Sequence, residues 1–525
     1  FLDKDALIAI LGDYDADGIM STVILGKTID SLGGNFLYHI PQRDKEGYGL
    51  NNQGIKEMKD KGVELLLVCD NGTSSLEEVE YANSLGLTVI IIDHHDIVLE
   101  YDDNGEDFRE ILPQAQAFIN HKQKDCPYPF KSYCAAGLCF RFSQALYEYL
   151  GEDWQDIEKE LLPFATIATI CDLMDLKSDN RIIVKRGLPL LTNPYNIGLS
   201  ALIEAAGVDG KKLGVYHVGF ILGPCINASG RLETADLAVE LFLTDDTEKA
   251  LSLAAYLVEL NNERKTITSK GVESALENIE KNNFDKDKVM VIHCPDIAES
   301  VAGIVAGRLK ELYYRPTIVL GGNEEIVKGS CRSIEAFNIS QALRQTKEHL
   351  VSFGGHPMAA GVSIKRENIP TFRKAINDNC LLQPEDMVHI LRIDYVLSMD
   401  KADMSLAKEL EKFEPLGKGN HIPYFACKNA PAIRINLLGR EAQVMKIQFK
   451  GDGYHLCEAI SFDGKERLYK MIADRYGEKA WQNLLLAKAA PIPMDIIYTI
   501  GINEYNGKKS LHLQRIDFRL SRIKK

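Results

Sequence analysis

Several things are missing from this 525-residue chain, and each absence narrows what it can be. No apolar run is long enough to span a bilayer, which argues against a transmembrane helix. No internal repeat and no low-complexity tract appears, so solenoids and disordered arrays drop out. The eleven cysteines include no C-x-x-C pair, which removes the usual zinc-ribbon and redox signatures. Cys69, Cys171 and Cys457 lie within apolar runs, so buried free thiols in a reducing cytoplasm are expected rather than a disulfide framework. Positive charge is also short: the net charge of −14 argues against a protein that coats nucleic acid through a basic surface. It leaves room for a site that gathers carboxylates, with local basic patches elsewhere.

What is present fits a soluble multi-unit protein. Hydrophobic content is 45% and charged content 26%. At about 100–200 residues per domain, three or four units are expected. In the first ~200 residues, LIAILGD, VELLLVCDNG, TVIIIDHH and AQAFINH read as buried strands separated by helical segments. That alternation predicts a parallel sheet covered on both faces, with ligands at the carboxyl ends of its strands. A long, polar, nearly Gly- and Pro-free helical stretch over 234–283 reads as a connecting helix. A second α/β segment runs from about 287 to 385, and the remainder is strand-rich, as in a small β-barrel or sandwich. The expected partition is 1–205, 206–286, 287–386 and 387–525.

Chemistry concentrates where the apolar runs end. Asp13-Tyr14-Asp15-Ala16-Asp17-Gly18 sets three carboxylates in five residues at a strand-to-helix turn. A helix cap uses one Asp, hardly three. Asp70-Asn71-Gly72-Thr73 follows the next strand and alone would be a turn and cap. Asp93-His94-His95-Asp96 follows Val89–Ile92, and two adjacent His there are rarely needed for packing. Asp172, after the apolar stretch Pro163–Ile170, could by itself simply turn the chain. Three strand ends of one sheet carrying Asp and His suit Mn²⁺, Mg²⁺ or a related divalent ion. A pair of such ions is the arrangement that hydrolyses phosphodiesters.

These motifs in this order resemble those of the DHH phosphoesterases. Further segments are similar to the RecJ-like exonucleases within that superfamily: Ile40-Pro41-Gln42-Arg43, Glu46–Leu50, Gly223–Leu232 and Gly329–Ile334. Gly354-Gly355-His356-Pro357-Met358-Ala359-Ala360-Gly361 looks like the signature of the associated DHHA1 domain, and Ile502–Gly507 lies where such proteins carry an OB-fold. The resemblance implies two α/β lobes joined by a long helix, plus a C-terminal OB-type barrel. It implies two divalent ions, Mn²⁺ or Mg²⁺, held by Asp15, Asp17, Asp70, His94, His95 and Asp172, with Asp13 a weaker member and Asp70 the bridge. It implies 5′→3′ digestion of single-stranded DNA to 5′-mononucleotides, in repair and recombination. A single-strand-binding protein or a helicase would be the partner, and a cytoplasmic monomer without membrane attachment the form. Two departures stand out: Leu11 where many members place His, and Cys225 where relatives commonly have Arg.

Around the second lobe, Ser330 and Arg332 offer a hydroxyl and a guanidinium suited to a terminal phosphate, and Arg231 would join them. The turn at Gly354-Gly355 lets backbone approach a phosphate, with His356 as a donor. Arg43 would hold the DNA backbone and Tyr48 would stack on an unpaired base. Tyr505 with Lys508, Lys509, Arg515, Arg519 and Arg522 gives the barrel an aromatic and basic surface. A phosphodiesterase for short RNA oligonucleotides or cyclic dinucleotides is the alternative enzyme, and residues past about 387 weigh against it. A silent DNA-binding scaffold would have no reason to retain so costly a charge cluster.

Overall fold

The computed structural model describes residues 1–42, 46, 49–101, 108–439, 444–451, 456–488, 490–505 and 507–522. Arg43 and Tyr48 lie outside the described residues. The chain divides into two compact units, Phe1–His389 and Ile390–Lys525.

The first unit begins with β1 (Leu7–Leu11), β2 (Asn35–His39), β3 (Leu65–Cys69) and β4 (Thr88–Ile92). A hairpin of β5 (Val98–Tyr101) and β6 (Phe108–Ile111) precedes β7 (Ala117–Ile119). The main sheet runs β2-β1-β3-β4-β7, parallel throughout. Strands β1 and β3 at its centre are continuously apolar because both faces are covered, whereas the edge strand β2 is not. Ile8, Ile10, Leu65 and Leu67 pack with helix Ala16–Ser31 and the helices beyond. Ala9, Leu11, Leu66 and Val68 pack instead with Ile55, Met58, Val79 and Ala82 of helices Asn52–Asp60 and Leu76–Ser84.

After β7 the strand–helix alternation stops. Ala135–Leu150, Trp154–Cys171, Ser178–Leu190 and Ile197–Ala205 are all helical. The stretch expected as one helix over 234–283 is two, Asp236–Leu243 and the 36-residue Thr247–Asn282. Asp246 causes the second start: its side chain accepts from the N–H groups of Glu248 and Lys249. The long helix serves two cores in turn. Ala250, Ala254, Leu257 and Leu260 join the first lobe's core, while Ala275 and Ile279 join Met290, Ile292 and Val301 of the second.

The second lobe is a mixed sheet of β8 (Met290–Cys294), β9 (Thr317–Gly321), β10 (Ile326–Arg332), β11 (Leu350–His356) and β12 (Ala359–Lys365), ordered β11-β12-β10-β9-β8. Only β8 and β9 pair in parallel.

The second unit contains β13 (Tyr395–Val396), β14 (Phe425–Leu438), β15 (Val444–Lys450), β16 (Leu456–Ser461), β17 (Ile492–Tyr505) and β18 (Lys508–Leu520). Pairing of β14 with β17 closes the series β14-β15-β16-β18-β17 into a five-stranded barrel. Two helices absent from the strand-rich reading, Lys465–Tyr476 and Glu478–Leu485, bury Leu468, Ile472, Trp481 and Leu484 in its core. Arg515, expected on a DNA-facing surface, is instead buried and bonded to Ser461 and Asp463. Arg519 pairs with Asp495. All eleven cysteines are free; eight are buried, whereas Cys126, Cys171 and Cys457 are half-buried. Among the described residues no helix is long and apolar enough to cross a membrane.

Candidate metal centre and phosphate-binding face

The carboxyl ends of β1, β3 and β4 deliver their acidic and His residues to one place. Three overlapping sets have ligand atoms within 4.8 Å of one another: Asp70, His94 and His95; Asp17, His94 and Asp172; Asp13, Asp15 and Asp70. All seven residues singled out from the sequence are therefore together, with Asp70 and His94 each shared by two sets. His94 Nε2 stands 3.2 Å from Asp70 Oδ1, 3.6 Å from Asp17 Oδ2 and 3.8 Å from Asp172 Oδ2. Asp172 arrives at the end of helix Trp154–Cys171, as its C-cap, not from a strand.

Two of the carboxylates are placed by backbone N–H groups. Asp15 caps helix Ala16–Ser31 and accepts from the N–H groups of Asp17 (2.9 Å) and Gly18 (3.2 Å). Asp17 is 2% exposed, and its two oxygens accept from Ala135 N and Ala136 N at 2.8 Å each, tying the first turn of helix Ala135–Leu150 to the cluster. Asp70 takes a left-handed backbone (φ 61°), which Asp tolerates better than most residues.

The electrostatics identify what the cluster needs. Burial, then the charges of Asp17, Asp15, Asp13 and Asp93, push the Asp70 carboxyl well above its ordinary range. Burial also raises Asp17, with His94 opposing it in part. A buried group of like charges is unfavourable until a cation joins it, and hard oxygen donors with two imidazoles are a donor set for a divalent ion of the Mn²⁺ or Mg²⁺ type. Asp93 has a different part. It accepts from Thr73 N (3.0 Å), Thr73 Oγ1 (2.5 Å) and His94 N (2.7 Å), and holds His95 Nδ1 at 2.7 Å. Burial alone would lower His95, but the Asp93 bond and charge raise it to about 9. The same partners hold Asp93 far below the usual carboxylate range despite its burial. With Nδ1 engaged, Nε2 is the nitrogen left to ligate.

Sequence reasoning missed Asp93 as the orienting group, and with it Asn120 and His121. Asn120 Nδ2 donates to Thr73 Oγ1 (3.1 Å) and to the His95 carbonyl (2.9 Å). His121 is 3% exposed and sits edge-on to Tyr133, ring centroids 6.2 Å apart. Burial, Lys122 and His94 depress its pKa to about 4. The signal was available: both residues follow the apolar run Ala117–Ile119, as the other clusters follow theirs.

The second lobe presents a contrasting surface. On one face of β10 lie Lys328, Ser330 and Arg332; opposite Ser330 stand Gly361 and then Gly354. With Ser352 and Gly355 these line a groove of about 600 Å³. Arg332 Nη1 donates to Ser330 Oγ (3.0 Å) and to its neighbour's carbonyl at Cys331 (2.8 Å). A Cβ on Gly303 of helix Glu299–Tyr313 would lie 2.8 Å from Arg332 Nη2 and 2.9 Å from Ser330 Oγ, so glycine gives this pair its room. Gly355 has φ 141°, and a Cβ there would meet the Ala359 carbonyl at 2.5 Å. Arg231 Nη1 donates to the Ser300 carbonyl (2.9 Å) at the start of that helix. His356 Nδ1 lies 3.5 Å from Asp96 Oδ2, and Asp96 also binds Lys122 Nζ at 2.8 Å, so the second lobe reaches the loop carrying His94 and His95.

The fold and site together define a protein of the DHH type. Residues 7–169 match the DHH family N-terminal domain, 286–381 the DHHA1 domain and 393–517 the RecJ OB domain. The chain is 35% identical to the single-stranded-DNA-specific exonuclease RecJ of Bacillus subtilis, across 99% of this chain and 62% of the relative. To the protein of that name in Escherichia coli it is 31% identical, across 96% of this chain and 86% of the relative. The chain thus spans less than two thirds of the length of the Bacillus relative. The crystal structure of RecJ in complex with Mn²⁺ from Thermus thermophilus superposes with a TM-score of 0.80 at 25% identity, covering 99% of this chain and 70% of that one. The chain belongs to the RecJ family.

Proposed function

We propose that the chain is a metal-dependent exonuclease that removes 5′-mononucleotides from the 5′ end of single-stranded DNA, in repair and recombination. The observation that carries this reading is the convergence of seven Asp and His residues in three overlapping sets, in one unit with a groove lined by Ser330, Arg332, Gly354 and Gly355. The relatives' names and the Mn²⁺ in the Thermus protein support it. Asp13, Asp15, Asp17, Asp70, His94, His95 and Asp172 would hold two divalent ions, Mn²⁺ or Mg²⁺. When bound, such ions ionise a water near neutral pH and offset charge on the phosphate.

The chain's own groups do the rest. Asp93 fixes the ring of His95, and Asp15 and Asp17 are locked by the N–H groups they accept. Arg332 and Ser330 would take the terminal phosphate of the strand by charge-assisted hydrogen bonds, with Gly355 admitting close approach and His356 donating. Arg231, which donates to the Ser300 carbonyl at the start of the helix beside that pair, would join them at the phosphate. Arg43 and Tyr48 remain assigned to the strand by resemblance alone. Specificity for unpaired DNA is assigned to the family's substrate, with a single-strand-binding protein or helicase as the partner and a monomer as the working form.

The test is digestion of end-labelled single- and double-stranded DNA with Mn²⁺, Mg²⁺ or EDTA. Mononucleotides released from the 5′ end of single strands, and none in EDTA, are expected. Equal digestion of duplex, or digestion limited to di- and trinucleotides, would overturn the reading, the latter in favour of an oligonucleotide phosphodiesterase.

A further inference from the structure

The segment Gly214–Leu222 carries two large aromatic side chains that packing does not use. Tyr216 is 64% and Phe220 69% exposed, although neighbouring Val218 and Leu222 are buried. Their rings are stacked, with centroids 5.2 Å apart and planes 25° from parallel. Phe220 lies within a π-helix over Val218–Leu222 that directly follows the short helix Val215–His217 carrying Tyr216, a rare geometry that often marks a functional site. Paired rings left in water at the cost of apolar exposure call for an occupant.

Position and charge say which occupant. The segment packs against the last turn of helix Trp154–Cys171: a Cβ on Gly219 would lie 3.5 Å from Ile170 Cγ2, and one on Gly223 2.4 Å from Cys171 Sγ. The residue after Cys171 is Asp172, one of the cluster's carboxylates. Lys211 and Lys212, just ahead of the aromatic pair, are exposed, and Lys211 Nζ donates to the Gly207 carbonyl (2.8 Å). Exposed aromatics beside cations are the combination that holds unpaired nucleic acid: rings take bases of any identity, and lysines follow the backbone. A protein partner would be expected to seal the rings within a wider apolar patch, whereas the residues just ahead of the rings here include two exposed lysines.

We infer that Tyr216 and Phe220 form a base-stacking platform at the Asp172 end of the metal cluster, holding a nucleotide of the single strand as it passes the site. This rests on the proposed single-strand activity. The experiment measures binding of the full chain to a single-stranded oligonucleotide in EDTA, which prevents digestion, for the wild type, Tyr216→Ala/Phe220→Ala and Phe220→Leu. Each is measured on normal DNA and on strands with a single abasic site moved through the sequence. Loss of a stacked base weakens binding ~10-fold, so the double variant should bind at least ~10-fold more weakly. At one position the abasic site should weaken the wild type but not the double variant, because the base and the rings form one contact. Phe220→Leu, which keeps apolar volume, should show an intermediate loss. An unchanged unfolding midpoint in all three shows that the rings are not structural; a large drop would overturn the platform. Equal affinity of wild type and double variant, or equal abasic penalties in both, would also overturn it while leaving the exonuclease reading intact. Failure of the wild type to bind single strands would remove both.

Discussion

The two five-stranded sheets of the first unit handle polar groups in opposite ways. The parallel sheet buries its chemistry: Asp13, Asp17, Asp70 and Asp93 are all under 5% exposed at its carboxyl edge. The mixed sheet leaves its chemistry open, with Ser330, Arg332 and Lys328 above a floor of Gly354 and Gly361, where a Cβ would meet nothing within 4 Å. The first arrangement is electrostatically unfavourable until a cation arrives; the second sets Lys328 and Arg332 against a single carboxylate, Glu299, 3.4 Å from Lys328 Nζ, and keeps space free. On the proposed reading, the first surface carries out the reaction and the second positions the strand that reacts.

The most damaging way to break the closed site is Asp70→Ala. It removes a carboxylate shared by two of the three sets, and cleavage should fall at least ~10³-fold in a rate assay with Mn²⁺. The folded protein should persist, since the substitution also removes a buried charge. Near-normal rates would dissolve the distinction between the two sheets.

On the open face, Arg332→Ala should weaken binding of 5′-phosphorylated strands by about 1.5–3 kcal/mol, some 10- to 100-fold, and of 5′-hydroxyl strands far less. Equal losses on the two substrates, by competition binding, would mean that Arg332 does not read the strand end.

Titration sharpens the contrast further. In the metal-free protein His95 is raised to about 9, so below that pH a proton occupies the nitrogen an ion would take. Apparent Mn²⁺ affinity should rise with pH, by up to ~10-fold per unit, and level off near 9. The same shift bears on stability: the metal-free fold is favoured by His95 fully below its unfolded value near 6.5, and that gain disappears as pH climbs through 9. Asp93→Asn should lower the His95 pKa and flatten the affinity profile, read by calorimetry across pH 6–9.

The smallest effect tests the glycine floor. Gly361→Val adds a side chain into open space in a strand, so the unfolding free energy should stay within about 0.5 kcal/mol, while binding of single strands declines. Destabilisation with unchanged binding would show that the glycine serves packing.

Much of this was legible in the residues. An apolar run followed by Asp or His is a local pattern, and β1, β3, β4 and β7 all end where such runs end. The five main strands of the barrel were visible because their apolar runs close on turn residues, whereas the unit's helices Met404–Glu411, Lys465–Tyr476 and Glu478–Leu485 were not, because short amphipathic segments among strands have no local mark that outweighs their surroundings. Arg515 shows the same limit: an arginine in a basic strand looks solvated until Ser461 and Asp463 are folded against it.

By itself, then, the sequence determined which residue types stand at the strand ends and that they suit a divalent ion, since both depend on neighbours in the chain. Only the tertiary structure decided how they meet. Asp17 receives its N–H donors from Ala135 and Ala136, more than a hundred residues away, and Asp172 enters on a helix. His356 reaches Asp96 from the other lobe. These pairings follow from close packing of distant segments, which fixes distances that no local pattern encodes.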